Sequence, residues 1–406
     1  MAAESKNKGT FNMAGSVILT GARTPIGKMS GQLAGFSAAQ LGGLAIKAAL
    51  ERAGLSGDQV DYVFMGHVIG AGAGQMTARQ ASIAGGIPLD VPSTTVNKVC
   101  LSGINAIMLA DRLINSGEAD IVVAGGMESM TQAPYLLPSG RAGARYGNTE
   151  LQDAIIADGL FCAIDQVLMG AGTEKYAQSA SISREAQDEL AAASHEKAAR
   201  AQKDGFFDAE IVPVEIPQRK GDPVVMSIDE GVRAETTFDS LSKLRPAFDK
   251  AGNITAGNAS QISDAGSALV VVSKAKAEEL GINPLGEIVS SGEIAGPDAS
   301  LLTQPSRAIK QAAERAGIAI GDIDLFELNE AFAAVGCASI SDLGISDEIV
   351  NVNGGAIALG HPLGMSGNRL VLTILNELAR RGGGTGAAAL CGGGGQGDAM
   401  IVRTLS

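Results

Sequence analysis

Three side chains suited to nucleophilic and proton-transfer chemistry stand in loops of unusual composition: Cys100, His361 and Cys391. Cys100 lies in TTVNKVCLSGINA, immediately before a helical stretch. A thiol at a helix start meets exposed N–H groups and the positive end of the helix dipole, and both favour thiolate. On position alone, a buried structural cysteine in a small-residue loop is an equal alternative. His361 lies in NVNGGAIALGHPLGMSGNR, enclosed by Gly354, Gly355, Gly360, Pro362, Gly364 and Gly367. So much glycine around one histidine is expected where the shape of the loop matters. A Cys–His pair is a standard way to make a thiolate near neutral pH, and the chemistry it serves is covalent acyl transfer.

Cys391 ends the apolar run GAAALC and enters CGGGGQGDAM. Four glycines could cradle a phosphate, but such a loop precedes a helix, whereas this one runs into AMIVRT, another strand. Glycines joining two strands suit N–H groups turned toward a site, with Cys391 either an acid/base group or a packing thiol. Asn329, in Asn329-Glu330-Ala331-Phe332 after the strand LFEL, can orient a water or donate to an oxyanion; Glu330 can instead cap. Of the other histidines, His195 falls in the charged run SREAQDELAAASHEKAARAQKDG and reads as a solvated surface residue. His67, at the end of YVFMGHV, reads as core or loop.

The elements that must position these groups are legible as a repeat. Ala45-Ile46-Lys47 recurs at Ala308-Ile309-Lys310, and Glu51-Arg52-Ala53-Gly54 at Glu314-Arg315-Ala316-Gly317. The same offset of 263 carries Val60-Asp61 onto Ile323-Asp324. Each copy reads as an amphipathic helix ending at Gly, then a strand. Further on, Ser102-Gly103 and Ser366-Gly367 each open a helix that leads into an apolar strand, ADIVVAGG and GAAALCGG. The repeat thus matches the loop of Cys100 with that of His361. Continuous apolar strands alternating with helices predict two related α/β halves with largely parallel sheets, their functional groups at loop–helix junctions. Residues 132–257 have no counterpart in the repeat and read as an insertion, a common place for ligand-binding surface. The expected organisation is a disordered leader over 1–15, a first half over 16–131 plus 258–284, the insertion over 132–257, and a second half over 285–406.

Composition narrows the class. The 406 residues are 45% apolar and 18% charged, which predicts a soluble globular protein. A net charge of −13 argues against nucleic acid as a partner. No apolar run reaches a membrane span and no signal-peptide core precedes the first strand, so a cytoplasmic location is expected. The four cysteines, at 100, 162, 337 and 391, fit neither a disulfide framework nor a zinc site.

Taken together, the blocks NKVCLSG around Cys100, GGMESM (125–130), KLRPAF (243–248), TAGNAS (255–260), NEAFA (329–333), GHPLGMSG (360–367) and CGGGGQG (391–397) resemble the thiolase family, in its acetyl-CoA acetyltransferase type. The match runs from about residue 16 onward, in the family's order. It implies a duplicated α/β fold in five α-β-α-β-α layers with an inserted loop domain, assembled as a homotetramer. It implies a reversible Claisen condensation of two acetyl-CoA, with coenzyme A as substrate and product and no tightly bound cofactor or metal. By carry-over, Cys100 becomes the acyl-cysteine, His361 draws off its proton, and Cys391 moves the α-proton. His361 and Asn329, through a water, would hold the enolate oxygen, and the N–H groups of Cys100 and Gly393 would form a second oxyanion hole. Arg233, Ser240, Ala256 and Ser260 would contact coenzyme A, with Met169 and Phe332 lining its tunnel. Three departures stand out: QISDAGS follows TAGNAS where many relatives have GLNDGAA, GPDASLLTQP lacks the MGxGP pattern, and Gly392 replaces an apolar residue. The first two leave open a broader 3-ketoacyl-CoA chain length, as in β-oxidation. A ketoacyl-synthase-like enzyme would bring a histidine pair where this chain has His361 and Cys391, and a thiol-exchange protein would not need His361.

Overall fold

A computed structural model describes residues 15–143 and 145–405; the leader expected over 1–15 lies outside them apart from Gly15. The first half contributes β1 (Ser16–Arg23), α1 (Ala38–Ala53), β2 (Tyr62–Gly66), α2 (Thr77–Ala84), β3 (Ser93–Val96), α3 (Ser102–Asn115) and β4 (Ile121–Ser129). After an excursion that includes α4 (Met169–Ser179) and α5 (Arg184–Lys203), β5 (Ser263–Ser273) returns to the same sheet. The second half runs β6 (Gly286–Ala295), α6 (Gln304–Ala316), β7 (Leu325–Leu328), α7 (Ala333–Leu343), α8 (Ser366–Arg380), β8 (Thr385–Gly392) and β9 (Gln396–Arg403).

The strands form one continuous sheet in the order β7-β8-β9-β6-β1-β5-β4-β2-β3, joined at its centre where β1 meets β6 at Val17–Glu287 and Ile18–Gly286. The two sides mirror the repeat. The helices α1 and α6 both end at glycines in the left-handed region, Gly54 and Gly317, each with φ +66°. Where the first half has β3 beside β2, the second has Val350 bridged in parallel to Phe326. Helices α3 and α8 pack on each other between the two sheets, sharing a core of Ile104, Ile107, Leu370 and Ile374 with strand residues of both halves. Helix α1 covers the outer face of the first sheet and α6 that of the second. This is the five-layer arrangement, the two sides of the sheet forming its two β-layers, with β1, β4, β5 and β8 buried while β6 is half-buried and β3 partly exposed.

The sheets are not largely parallel. Only β7–β8, β2–β3 and β2–β4 pair in parallel along their strands; β1–β5, β5–β4, β6–β9 and β9–β8 are antiparallel. Continuous apolar runs report burial on both faces, not direction. The glycine turn after Cys391 is short enough to reverse the chain as a hairpin, and a hairpin is necessarily antiparallel.

The two halves meet closely because glycine lines the contact. A side chain at Gly103, near the start of α3, would come within 2.8 Å of the Gly364 carbonyl oxygen and 2.9 Å of the Asn368 N–H. The loop of His361 therefore lies directly on the helix that follows Cys100.

Arg23, fully buried at the end of β1, clamps the excursion to the sheet. Its Nε donates to Glu210 (2.7 Å) and its two terminal nitrogens to Asp229 (2.7 and 2.9 Å). Glu210 in turn accepts from Thr373 of α8 (2.9 Å). Burial opposes the guanidinium charge, but the two carboxylates outweigh it and hold its pKa above the ordinary value. Asp229→Ala is expected to cost about 3–5 kcal/mol in urea unfolding, because it strands part of a buried charge. A loss under about 1 kcal/mol would mean that Glu210 alone satisfies Arg23.

Candidate active site

Cys100 is set by a strained turn. Val99, a β-branched residue, has φ +53°, a conformation that side chains of its shape rarely adopt and that persists only when its surroundings enforce it. The Val99 N–H donates to Asn97 Oδ1 (3.0 Å), and the Asn97 amide donates to the Val68 carbonyl (3.2 Å). The Ser102 hydroxyl donates to the Val99 carbonyl (2.6 Å) and accepts from the Lys98 N–H (2.8 Å). Cys100 thus sits two residues ahead of α3, as its sequence context predicts. Its ionisation is another matter. Burial, with a further contribution from the charge of Glu128, pushes the thiol up to about 12, although the N–H groups of Cys100 and Gly393 act in the opposite sense. The helix start does not make a resting thiolate here, so a base must take the proton as the sulfur attacks.

His361 can supply that base. Gly360, at φ +113°, turns the chain after the short helix Ala356–Leu359, and the His361 N–H donates to the Gln261 carbonyl (3.0 Å). Ser366 spends its one hydroxyl proton on the Pro362 carbonyl (2.8 Å) and therefore accepts from His361 Nδ1–H (2.6 Å). This leaves a lone pair on Nε2, which accepts from Asn329 Nδ2 (3.3 Å). Burial, and secondarily Arg369, push the imidazole down to about 3, so it is neutral at working pH. The Asn329 Oδ1 is buried without a partner among the described residues and is available to a small polar group.

Cys391, the residue before the last of β8, is paired with Gly397 across the hairpin. Burial first, and then the proximity of Cys100, raise its pKa above the ordinary range. Cys100, His361, Cys391 and Gly393 line one chamber of about 50 Å³, walled by Leu160, Leu301, Leu363 and Phe332. It adjoins a cavity of about 370 Å³ that shares His361, Ser260, Met169 and Phe332 with it. A third cavity, about 260 Å³, is lined by Arg233, Ser240 and Ala256 and shares Gln261 with the second. Arg233, Ser240, Ala256, Ser260, Met169 and Phe332 thus line three neighbouring cavities, the smallest of which holds the two thiols, while Asn329 lines none of the three. A cavity of about 380 Å³ beside Cys337, between α5 and α7, contains none of the three reactive groups.

Several features of the site are not what the sequence suggested, or were not anticipated. His195 is buried, not solvated: its Nδ1 accepts from the Arg233 N–H (3.2 Å), and burial with the Arg233 charge pushes it down to about 4. The charged helix α5 hides an inward stripe of Ala191, Ser194, His195, Ala198 and Ala201, whose small residues leave little hydrophobic signal. His67 is a core residue, bonded to Thr77 (2.9 Å) and lying 3.4 Å from Glu128. Glu330 does cap, accepting from Ser194, Asn351 and the Ile357 N–H at the short helix before His361. Glu128, within GGMESM, is fully buried and accepts from the N–H groups of Val68, Ile69 and Gly364, fastening the His361 loop to β4. Gln261, the first residue of the departing QISDAGS run, holds the Gly231, Ile357 and Ala358 carbonyls with its amide. Ser366 stood five residues after His361, the one of these that spacing could have exposed.

Comparison with known proteins follows this geometry. The thiolase N-terminal domain profile matches residues 16–275 and the thiolase C-terminal domain profile residues 282–404. The chain is 56% identical to a probable acetyl-CoA acetyltransferase of Mycolicibacterium smegmatis, over 95% of this chain and all of that protein. It is 52% identical to an acetyl-CoA acetyltransferase of Cupriavidus necator, over 96% of this chain and all of that one. In structure it is similar to the acetyl-CoA acetyltransferase of Bacillus anthracis, with a TM-score of 0.95 at 39% identity, covering 98% of this chain and all of the other.

Proposed function

The chain belongs to the thiolase family, and from that premise we propose that it is an acetyl-CoA C-acetyltransferase working through an acetyl group carried on Cys100. The observation that carries this reading is the small chamber where Cys100, His361 and Cys391 meet, beside a larger apolar cavity.

In the forward direction the Cys100 sulfur attacks the thioester carbonyl while His361 Nε2 takes its proton. The N–H groups of Cys100 and Gly393, which already point at the sulfur, receive the oxyanion; one such donor is worth about 10²–10³ in rate. Collapse expels coenzyme A as its thiol, the proton returning from His361, and leaves acetyl-Cys100. Cys391 passes its thiol proton to His361, and the resulting thiolate takes the α-proton of a second acetyl-CoA. His361 and a water held by Asn329 stabilise the enolate oxygen as the carbanion attacks the acetyl carbonyl. Breaking the C–S bond releases acetoacetyl-CoA and the Cys100 sulfur, which takes the proton back from His361; thiolysis is the same path reversed.

Coenzyme A is assigned to the neighbouring cavities: Arg233, Ser240 and Ala256 at one end, and Ser260, Met169 and Phe332 along the pantetheine arm. Residues 132–257 supply Met169, Arg233 and Ser240, and are read as the inserted CoA-binding segment. We read the assembly as a homotetramer and its location as the cytoplasm; exposed apolar residues of the same segment, among them Leu137 and Ile164, support a contact between subunits there.

The chamber's size favours a two-carbon acyl group over the longer chains of a β-oxidation thiolase. In a thiolysis series, acetoacetyl-CoA is expected to be cleaved with kcat/KM at least about tenfold above an eight-carbon 3-ketoacyl-CoA, since each excess methylene must displace a packed wall. Equal kcat/KM across the series would overturn the acetyl assignment in favour of the broader enzyme.

A further inference from the structure

Lys98, two residues before Cys100, reaches across to the other half of the molecule. Its ammonium donates to both oxygens of Asp398 on β9 (2.8 and 2.9 Å) and to Glu293 Oε1 on β6 (3.1 Å). Asn105 of α3 donates to the same Glu293 oxygen (3.2 Å), and Arg112 of α3 pairs with its second oxygen. Asp398 is fully buried, lies opposite Glu293 in the β6–β9 pairing and one residue beyond Gly397, the pairing partner of Cys391. The ion pair therefore spans the two segments that supply the Cys100 N–H and the Gly393 N–H. It also grips the chain next to Val99, whose left-handed backbone needs an external restraint.

We propose that the Lys98–Asp398 pair, braced by Glu293, is the positioning tie that keeps the nucleophile turn and the Cys391–Gly397 hairpin in register, so that both N–H donors converge on one oxyanion. The proposal rests on Cys100 acting as nucleophile with those N–H groups as its oxyanion hole. Neither side chain touches substrate in this arrangement; both act through the backbone beside them.

The tie carries its own pH dependence. Burial pushes the Asp398 carboxyl up to about 6, with Glu293 adding to the rise and Lys98 and Asn105 opposing it. Because the shift is upward, the ion pair is intact above that pH and is lost as Asp398 takes a proton below it. Lys98, Glu293, Asn105 and Arg112 are the charged or polar groups packed against it from the nucleophile turn, β6 and α3. Glu128, on another side of Cys100, is pushed by burial up to about 7, and Asp398 is not among the groups that shift it, so its limb is expected in wild type and Asp398→Asn alike.

The test is acetoacetyl-CoA thiolysis by wild type, Asp398→Asn and Lys98→Gln between pH 5 and 8. Asp398→Asn puts a neutral amide of the same shape where a carboxylate was buried, so the fold is retained, which circular dichroism checks. At pH 8 both variants are expected to lose about 10–100-fold in kcat, the scale of a displaced catalytic geometry, with KM for coenzyme A unchanged. The ratio of wild-type to Asp398→Asn kcat is expected to shrink toward one as pH falls through 6, and in that ratio the Glu128 limb cancels. A ratio constant with pH, wild-type kcat in both variants, or a rise in KM alone would overturn the tie. Absence of acetyl transfer in the wild type would instead overturn the underlying assignment of function.

Discussion

Cys100→Ser is expected to lose acetoacetyl-CoA thiolysis by at least about 10³-fold while keeping its fold, the scale of removing a group that acts only in the transition state. The chamber explains why oxygen cannot stand in for sulfur. Burial already pushes the Cys100 thiol up to about 12, and its proposed base, His361, is pushed down to about 3. Proton transfer between them is uphill even for a thiol, and an alcohol is a much weaker acid and a poorer nucleophile. The same numbers predict that His361 itself contributes no activity limb between pH 5 and 9, since it stays neutral throughout. The substitution leaves Val99 and its restraints untouched, so circular dichroism and thermal melting should superimpose on wild type. Undiminished thiolysis by Cys100→Ser would remove the residue from the mechanism.

Much of this site is legible in the sequence because its reactive residues sit in loops whose composition has no other use. The glycines around His361 and after Cys391 mark close backbone contacts, and the structure shows them, Gly103 lying against the Gly364 carbonyl at the crossing of the two halves. The 263-residue repeat marks the paired halves because helix, glycine cap and strand recur in both. Strand direction was not legible, since the apolar stretches of β5 and β9 are buried on both faces as those of a parallel strand would be. Nor was the environment of His195, because α5 buries alanine, serine and histidine behind a charged face. The Lys98–Asp398 pair joins residues 300 positions apart, and nothing local to either announces the other. Val99 is a further case: a valine argues for extended backbone, but its N–H bonds to Asn97 and its carbonyl accepts from Ser102 at positive φ, with the Lys98 ion pair beside it. Local rules fail where tertiary contacts enforce a functional turn.

Cys391→Ala separates the two thiols by step. Acetylation of Cys100 uses His361 and the N–H groups of Cys100 and Gly393, none of which the substitution alters. The variant is expected to release one coenzyme A per active site from acetyl-CoA and then stop, with an acetyl group on Cys100 by mass spectrometry. Condensation should fall by about 10²–10⁴, the usual worth of a positioned base. Burial is the larger of the two factors raising the Cys391 pKa and the proximity of Cys100 the smaller. Cys100 is a neutral thiol at rest and a neutral thioester once acetylated, so Cys391 remains a weak acid in both states. Its thiolate, when formed, is a strong base, which suits a weakly acidic C–H bond. If Cys391→Ala carried no acetyl group on Cys100, the two cysteines would not divide the steps in this way, and Cys391 would have to act in the first transfer as well.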